Sequence, residues 1–315
     1  MGYREDFLPV IIGPTAVGKT ELSLEIAERL GAEIISADSM QIYRGMDIGT
    51  AKPTLQERRG IPHHLIDIVD PDTPFTVSDY QQYFDETVED VRRRGKIPLV
   101  VGGTGLYVRA VTRKFRIPTP ASDPDLRAKL KLRAREEGAE TLFEELKAVD
   151  PQAALRIHPN DQKRVIRALE VYLSSGQPIS DWLVDAQEPL AEGTLIIGLE
   201  RDRETLYNRI NLRVDAMIKN GLLAEVKSLL DQGYSPELPS MQGLGYKEFV
   251  PVLSGESDLN SAVELLKKRT RNYAKRQISW FKREEVHWFS VDEEYFTLLR
   301  KIISFMEGRD EANVE

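Results

Sequence analysis

The residues best suited to chemistry are Gly13, Pro14, Thr15, Ala16, Val17, Gly18, Lys19 and Thr20. They spell G-x-x-x-x-G-K-[ST] directly after the apolar run Leu8-Pro9-Val10-Ile11-Ile12. A loop of this kind turns backbone N–H groups inward, and the helix after it adds unpaired donors and a positive dipole end. A polyphosphate can bind there, with Lys19 on its terminal phosphates and the Thr20 hydroxyl placed for Mg²⁺. The surroundings agree. A β-branched run enters the loop, and Leu22, Ile26, Ala27 and Leu30 then form one helical face, with Gly31 as the expected C-cap.

Two more positions could share a ligand with that loop. Asp38 follows the apolar run 33–37, where a carboxylate can accept a proton, hold an amine or bind a metal. Most Asp residues after strands are instead N-caps or turn residues, and Asp70, among prolines, fits a turn better. Thr104 follows Gly102 and Gly103, so its hydroxyl either faces a ligand or caps a helix from Leu106. A metal-assisted kinase would want an acid after a strand. The run 97–101 ends in two glycines, so spacing leaves Asp38 open between that task and another.

These positions need a sheet to hold them. Further strands are expected at 33–37, 65–69, 98–101, 195–199 and 287–290, the first three alternating with helical patterns, one of them at 78–94. That alternation predicts right-handed crossovers and a parallel sheet, with ligands at the carboxyl ends of its strands. The style changes at Pro118, Pro120 and Pro124, after which helices are expected at 124–137 and 161–174 with no strand between them. Later helices are expected at 203–220, 222–232 and 259–282, and a polar, frayed tail after Met306. The fold class is α/β: a P-loop NTPase-like parallel core with helices on both faces, built from 1–117 and 194–315. An all-α insertion domain occupies 118–193.

With 315 residues, 41% hydrophobic and 30% charged, the chain can bury one large core or two smaller ones. No apolar run approaches membrane-spanning length, and Met1 to Phe7 are too acidic for a signal peptide, so a cytoplasmic site is expected. Absent Cys excludes disulfides, thiolate nucleophiles and Cys-ligated zinc. His63, His64, His158 and His287 show no metal-ligand spacing. The net charge of −8 argues at first against nucleic acid, but it is unevenly spread. Residues 267–283 hold eight Lys or Arg and no acid; the remainder has 35 basic against 51 acidic residues. Local field matters more than the total when a polyanion docks. Arg269, Tyr273, Arg276, Trp280 and Arg283 fall on one helical face, which suits phosphate contacts and base stacking, or else a solvated cationic helix with its aromatics in the core.

Six segments taken together resemble the tRNA dimethylallyltransferases, also called tRNA isopentenyltransferases, in their bacterial form. They are 13–20, 38–43, 46–53, Gly102-Gly103-Thr104-Gly105-Leu106-Tyr107, Arg156-Ile157-His158-Pro159-Asn160-Asp161 and Lys275-Arg276-Gln277-Ile278-Ser279-Trp280-Phe281. The resemblance implies transfer of a dimethylallyl group from dimethylallyl diphosphate to the exocyclic amine of the adenine 3′ of the anticodon, in tRNAs reading codons that begin with U. It implies that the loop grips the prenyl diphosphate instead of hydrolysing ATP, with Mg²⁺ on Thr20. Asp38 is then the general base, with Lys19, Thr104 and Arg127 at the same centre. Contacts to the tRNA anticodon stem-loop are implied for Asp38, Ser39, Met40, Gln41, Gln162, Lys163, Arg164, Val165, Ile166, Gln242, Gly243, Leu244, Gly245, Tyr246, Lys247, Lys275, Arg276, Gln277 and Trp280. A monomer and no membrane are expected. The competing readings are an ATP-dependent small-molecule kinase and a nucleotide-gated RNA-binding module.

Overall fold

The computed structural model describes residues 4–113, 123–183 and 189–307. Pro118 and Pro120, the start expected for the insertion and the tail beyond 307 lie outside them. The chain divides into two compact units, Met1–Val111 with Ala191–Glu315, and Thr112–Leu190.

The first unit is built on six parallel strands: β1 (Leu8–Ile12), β2 (Ala32–Ala37), β3 (His63–His64), β4 (Ile97–Gly102), β5 (Thr194–Glu200) and β6 (His287–Ser290), in the order β3-β2-β4-β1-β5-β6. Every residue of β1 and β2 is buried, as in a parallel sheet covered by helices on its faces. Because β4 separates β1 from β2, the chain leaves β1, crosses through α1 (Lys19–Leu30) and skips one position. In register, Ile12 pairs with Gly102 and Ala37 also pairs with Gly102. Three adjacent strands therefore end at one level, and the loops starting at Gly13, Asp38 and Gly103 leave from neighbouring points.

Local chemistry sets the helix ends. Gly31 closes α1 in the left-handed conformation. Thr76 and Asp79 form a capping box on α2 (Val77–Arg93), a device worth about 1 kcal/mol. Asp202 caps α9 (Arg203–Lys219) and Asp258 caps α12 (Leu259–Phe281). Those two helices pack together, tied by Arg271 to Asn211 at 2.6 Å and by Lys267 to Asp215 at 2.8 Å. On α10 (Leu222–Asp231), Glu225 accepts the N–H groups of Asp47, Ile48 and Gly49 at 2.8–3.1 Å and the Tyr246 hydroxyl at 2.8 Å. Removing that carboxylate would leave the buried Tyr246 hydroxyl unsatisfied, at about 1–3 kcal/mol, and free three less buried N–H groups.

One expected strand is absent. At 65–69 the chain makes only a bridge from Val69 to Tyr43, because Leu65 (φ 59°) and Asp67 (φ 58°) are left-handed and cannot continue a strand. The sheet instead gains its edge at His63–His64. A further helix, α13 (Tyr295–Met306), not expected from the pattern, sends Leu298, Leu299 and Ile302 into the same core as α1.

In the second unit the described elements are helices, among them α4 (Pro124–Glu136), α5 (Ala139–Val149) and α7 (Gln162–Ser175), around a core of Leu130, Leu142, Leu146, Val165 and Leu169. Among the described residues no helix is long and apolar enough to cross a membrane.

Candidate functional site

The three loops open into one cavity of about 910 Å³, lined by Thr15, Lys19, Thr20, Asp38, Gly103 and residues of α9 and α12. Lys19 donates to the carbonyls of Gly13 and Pro14, both at 2.9 Å, which folds its ammonium back over its own loop. Burial, reinforced by the nearby Arg213 guanidinium, lowers the Lys19 ammonium to about 7, while Asp38 pulls the other way. An anion beside it would restore the proton.

Asp38 accepts the N–H of Met40 at 2.9 Å, so it is in part the turn residue that its position suggested. It is also half-buried on the cavity wall. Burial raises its carboxyl above the usual carboxylate range, against the lowering effects of the Met40 bond and of Lys19. A raised carboxyl is a stronger base once ionised. Thr104 accepts the N–H of Ser39 at 3.0 Å, linking the end of β4 to the Asp38 turn. Tyr273 on α12 sits at the same place; burial and Asp38 push its phenol up to about 12, while hydrogen bonding to Thr104 and Gln277 acts the other way.

Two arginines that sequence reasoning missed complete the cradle. From α9, Arg209 donates to the Ala16 carbonyl at 2.9 Å and Arg213 to the Thr15 hydroxyl at 3.4 Å. Lys19, Arg209 and Arg213 thus surround the phosphate loop, where a multiply charged anion would be held by charge-assisted bonds. Both are reached only through the packing of α9 against the loop, 193 and 198 residues away in sequence.

The donors near Thr20 decide how a metal could be held there. Among the described residues no cluster of three or more His, Asp or Glu side chains could hold an ion. Thr20 is exposed at the start of α1 and lines the cavity. That fits Mg²⁺ carried mainly by substrate phosphates and water, with one protein hydroxyl.

The residues expected against tRNA divide by exposure. Gln242, Lys275 and Arg276 are exposed, and Ser39, Met40, Gln41, Gly243, Leu244, Lys247 and Trp280 are half-buried. The 38–41 and 242–247 segments meet where a Cβ on Gly243 would approach Met40 Cε to 2.4 Å. In the second unit Gln162, Lys163 and Arg164 are exposed on the first turn of α7. Val165, Ile166, Tyr246 and Gln277 are turned inward, at 2%, 5%, 0% and 6% exposure, and Gly245 is buried too. Arg127, on α4, pairs with Glu170 at 2.8 Å, a carboxylate that also holds Arg167. Trp280 packs its ring on Gly105, where a Cβ would come within 2.4 Å of it.

Comparison with known proteins gives a consistent picture. A family model described as IPP transferase matches residues 41–284. A tRNA dimethylallyltransferase of Alkaliphilus metalliredigens is 49% identical over 301 residues, 95% of this chain and 96% of that protein. The solved full-length tRNA isopentenylpyrophosphate transferase of Bacillus halodurans superposes with a TM-score of 0.72 at 43% identity, covering 96% of each chain. A eukaryotic dimethylallyltransferase, solved acting on tRNA, gives a TM-score of 0.81 at 31% identity, over 96% of this chain and 80% of the other.

Proposed function

This chain belongs to the IPP transferase family, and from that premise we propose how it works as a tRNA dimethylallyltransferase. The donor is dimethylallyl diphosphate, and the acceptor is the N6 amine of the adenine 3′ of the anticodon, in tRNAs reading codons that begin with U. The carrying observation is that Lys19 and Asp38 line one cavity, close enough for each charge to act on the other. The kinase alternative is not favoured, because the relatives are named for prenyl transfer to tRNA.

The loop amides, Lys19, Arg209 and Arg213 hold the diphosphate. The adenine nitrogen forms a bond to the allylic carbon as the carbon–oxygen bond breaks, and that electron pair leaves on diphosphate. The nitrogen is a weak nucleophile, since its lone pair is delocalised into the ring, and its proton passes to Asp38. Thr20 would help hold Mg²⁺, which when bound would supply further neutralisation of the leaving charge. The adenine must leave its stack to enter the cavity, at a cost of a few kcal/mol. The cations of α12, with exposed Gln162, Lys163 and Arg164, offer the RNA backbone that compensation. The enzyme is taken to act as a cytoplasmic monomer.

Purified chain given dimethylallyl diphosphate labelled in its prenyl group tests this reading, with an anticodon stem-loop and AMP as rival acceptors. Label is expected in the stem-loop, with one diphosphate released per group transferred. Label in AMP alone would move the substrate to free nucleotides, and ATP consumption without label transfer would return the kinase reading.

A further inference from the structure

Gln277 lies among cations on α12, between Arg276 and Ile278, yet its side chain is only 6% exposed. Its carboxamide is used at both ends. Oε1 accepts the N–H of Thr15 in the phosphate loop at 2.9 Å, and Nε2 donates to the carbonyl of Gly103 at 2.9 Å. The fit is close: a Cβ on Gly103 would fall 2.2 Å from that nitrogen. The next residue, Thr104, holds the N–H of Ser39, whose neighbour is Asp38. One primary amide therefore joins the loop that grips the leaving group to the path that ends at the base. It also commits one phosphate-loop N–H to the protein instead of the ligand.

A primary amide presents an acceptor and a donor side by side at the end of one chain, and Asn is one methylene shorter. The Gly103 end is buried and the Thr15 end half-buried, and both are satisfied, so losing the first leaves an unpaired buried carbonyl, which costs more than the bond itself contributes. Lys275 and Arg276 are exposed on the same turn of α12, so the residue that spaces the loops is embedded in the segment that would meet RNA.

We infer that Gln277 is a positioning residue: it fixes the separation between the phosphate loop and the Asp38–Thr104 side of the cavity, and does not contact tRNA. The catalytic half of this statement rests on the function proposed above; the clamp itself does not. Two variants of the full chain separate the parts. Gln277→Met keeps the side-chain volume and removes both hydrogen bonds. Gln277→Glu keeps the acceptor toward Thr15 and removes the donor toward Gly103.

Hydrogen exchange without substrate is expected to quicken about tenfold at Thr15 and across 103–105 together in Gln277→Met, the loss of roughly one hydrogen bond at each loop. In Gln277→Glu it should quicken at 103–105 and much less at Thr15. In turnover, kcat for prenyl transfer is expected to fall ~10–100-fold in Gln277→Met, since small misplacements of reacting groups are costly. KM for the stem-loop should stay within about threefold. Unchanged exchange in Gln277→Met, or a raised KM with normal kcat, would overturn the assignment. So would failure of both variants to fold, which would make Gln277 structural only. Loosened loops with normal kcat would refute positioning and leave the proposed function standing. A wild-type chain that transfers no prenyl group would refute that function while the exchange result stood.

Discussion

Replacing Lys19 by Ala is expected to weaken binding of inorganic diphosphate by roughly 10- to 100-fold, the range for hydrogen bonds to a charged group. Transfer should fall further, by about 10²–10³ at saturating substrate, because charge on the leaving group is greatest at the transition state. The same side chain predicts a pH dependence. In the free chain burial lowers the Lys19 ammonium to about 7, and a bound anion would raise it. Its contribution to affinity is complete below that value and is lost as pH rises through the higher value of the complex. Calorimetry at pH 8 in two buffers of different ionisation enthalpy should therefore show proton uptake on binding. Lys19→Arg, which cannot titrate there, controls for protons on the ligand itself. Unchanged affinity in Lys19→Ala, with equal proton uptake in Lys19→Arg, would mean that the loop binds its anion without this ammonium.

The second large effect belongs to Asp38. Asn is the informative replacement because its amide oxygen can still accept the Met40 N–H that shapes the turn. Binding of prenyl diphosphate should persist, while transfer falls ~10²–10⁴-fold with loss of the proton acceptor. The two substitutions thus divide the cavity: Lys19 governs the departing anion and Asp38 the entering nitrogen. Near-normal turnover in Asp38→Asn would remove this carboxylate from the chemistry and leave it as a turn residue.

Much of this cavity was legible in the sequence, for identifiable reasons. The phosphate loop is local: an apolar strand, fixed glycine spacing and a helix start lie within a few residues of each other. Asp38 and Gly102-Gly103 stood out because each ends an apolar run, and strand ends of a parallel sheet gather on one side. What could not be read depended on distant pairing. Arg209 and Arg213 reach Ala16 and Thr15 from nearly 200 residues away, so no local periodicity points to them. The inward turn of Gln277 follows from α12 packing on both loops; its neighbours alone suggested a cationic face for RNA or for solvent. The segment 65–69 has the composition of a strand, but left-handed Leu65 and Asp67 bend it out of the sheet, and Lys52 pairs with Asp67 at the bend. For α13 the opposite holds. Its Leu298-Leu299-Ile302 spacing and its Glu294 cap are local features, readable from the sequence without any distant partner.

The proposed mechanism requires a base and a leaving-group cradle acting on one extruded adenine. A crystal structure of the chain with inorganic diphosphate and a prenylated anticodon stem-loop measures that directly. Diphosphate is expected on Lys19 and the loop amides, with the modified nitrogen within about 2.6–3.2 Å of the Asp38 carboxylate. An adenine still stacked in its loop, or a nitrogen beyond reach of Asp38 with diphosphate in place, would contradict it.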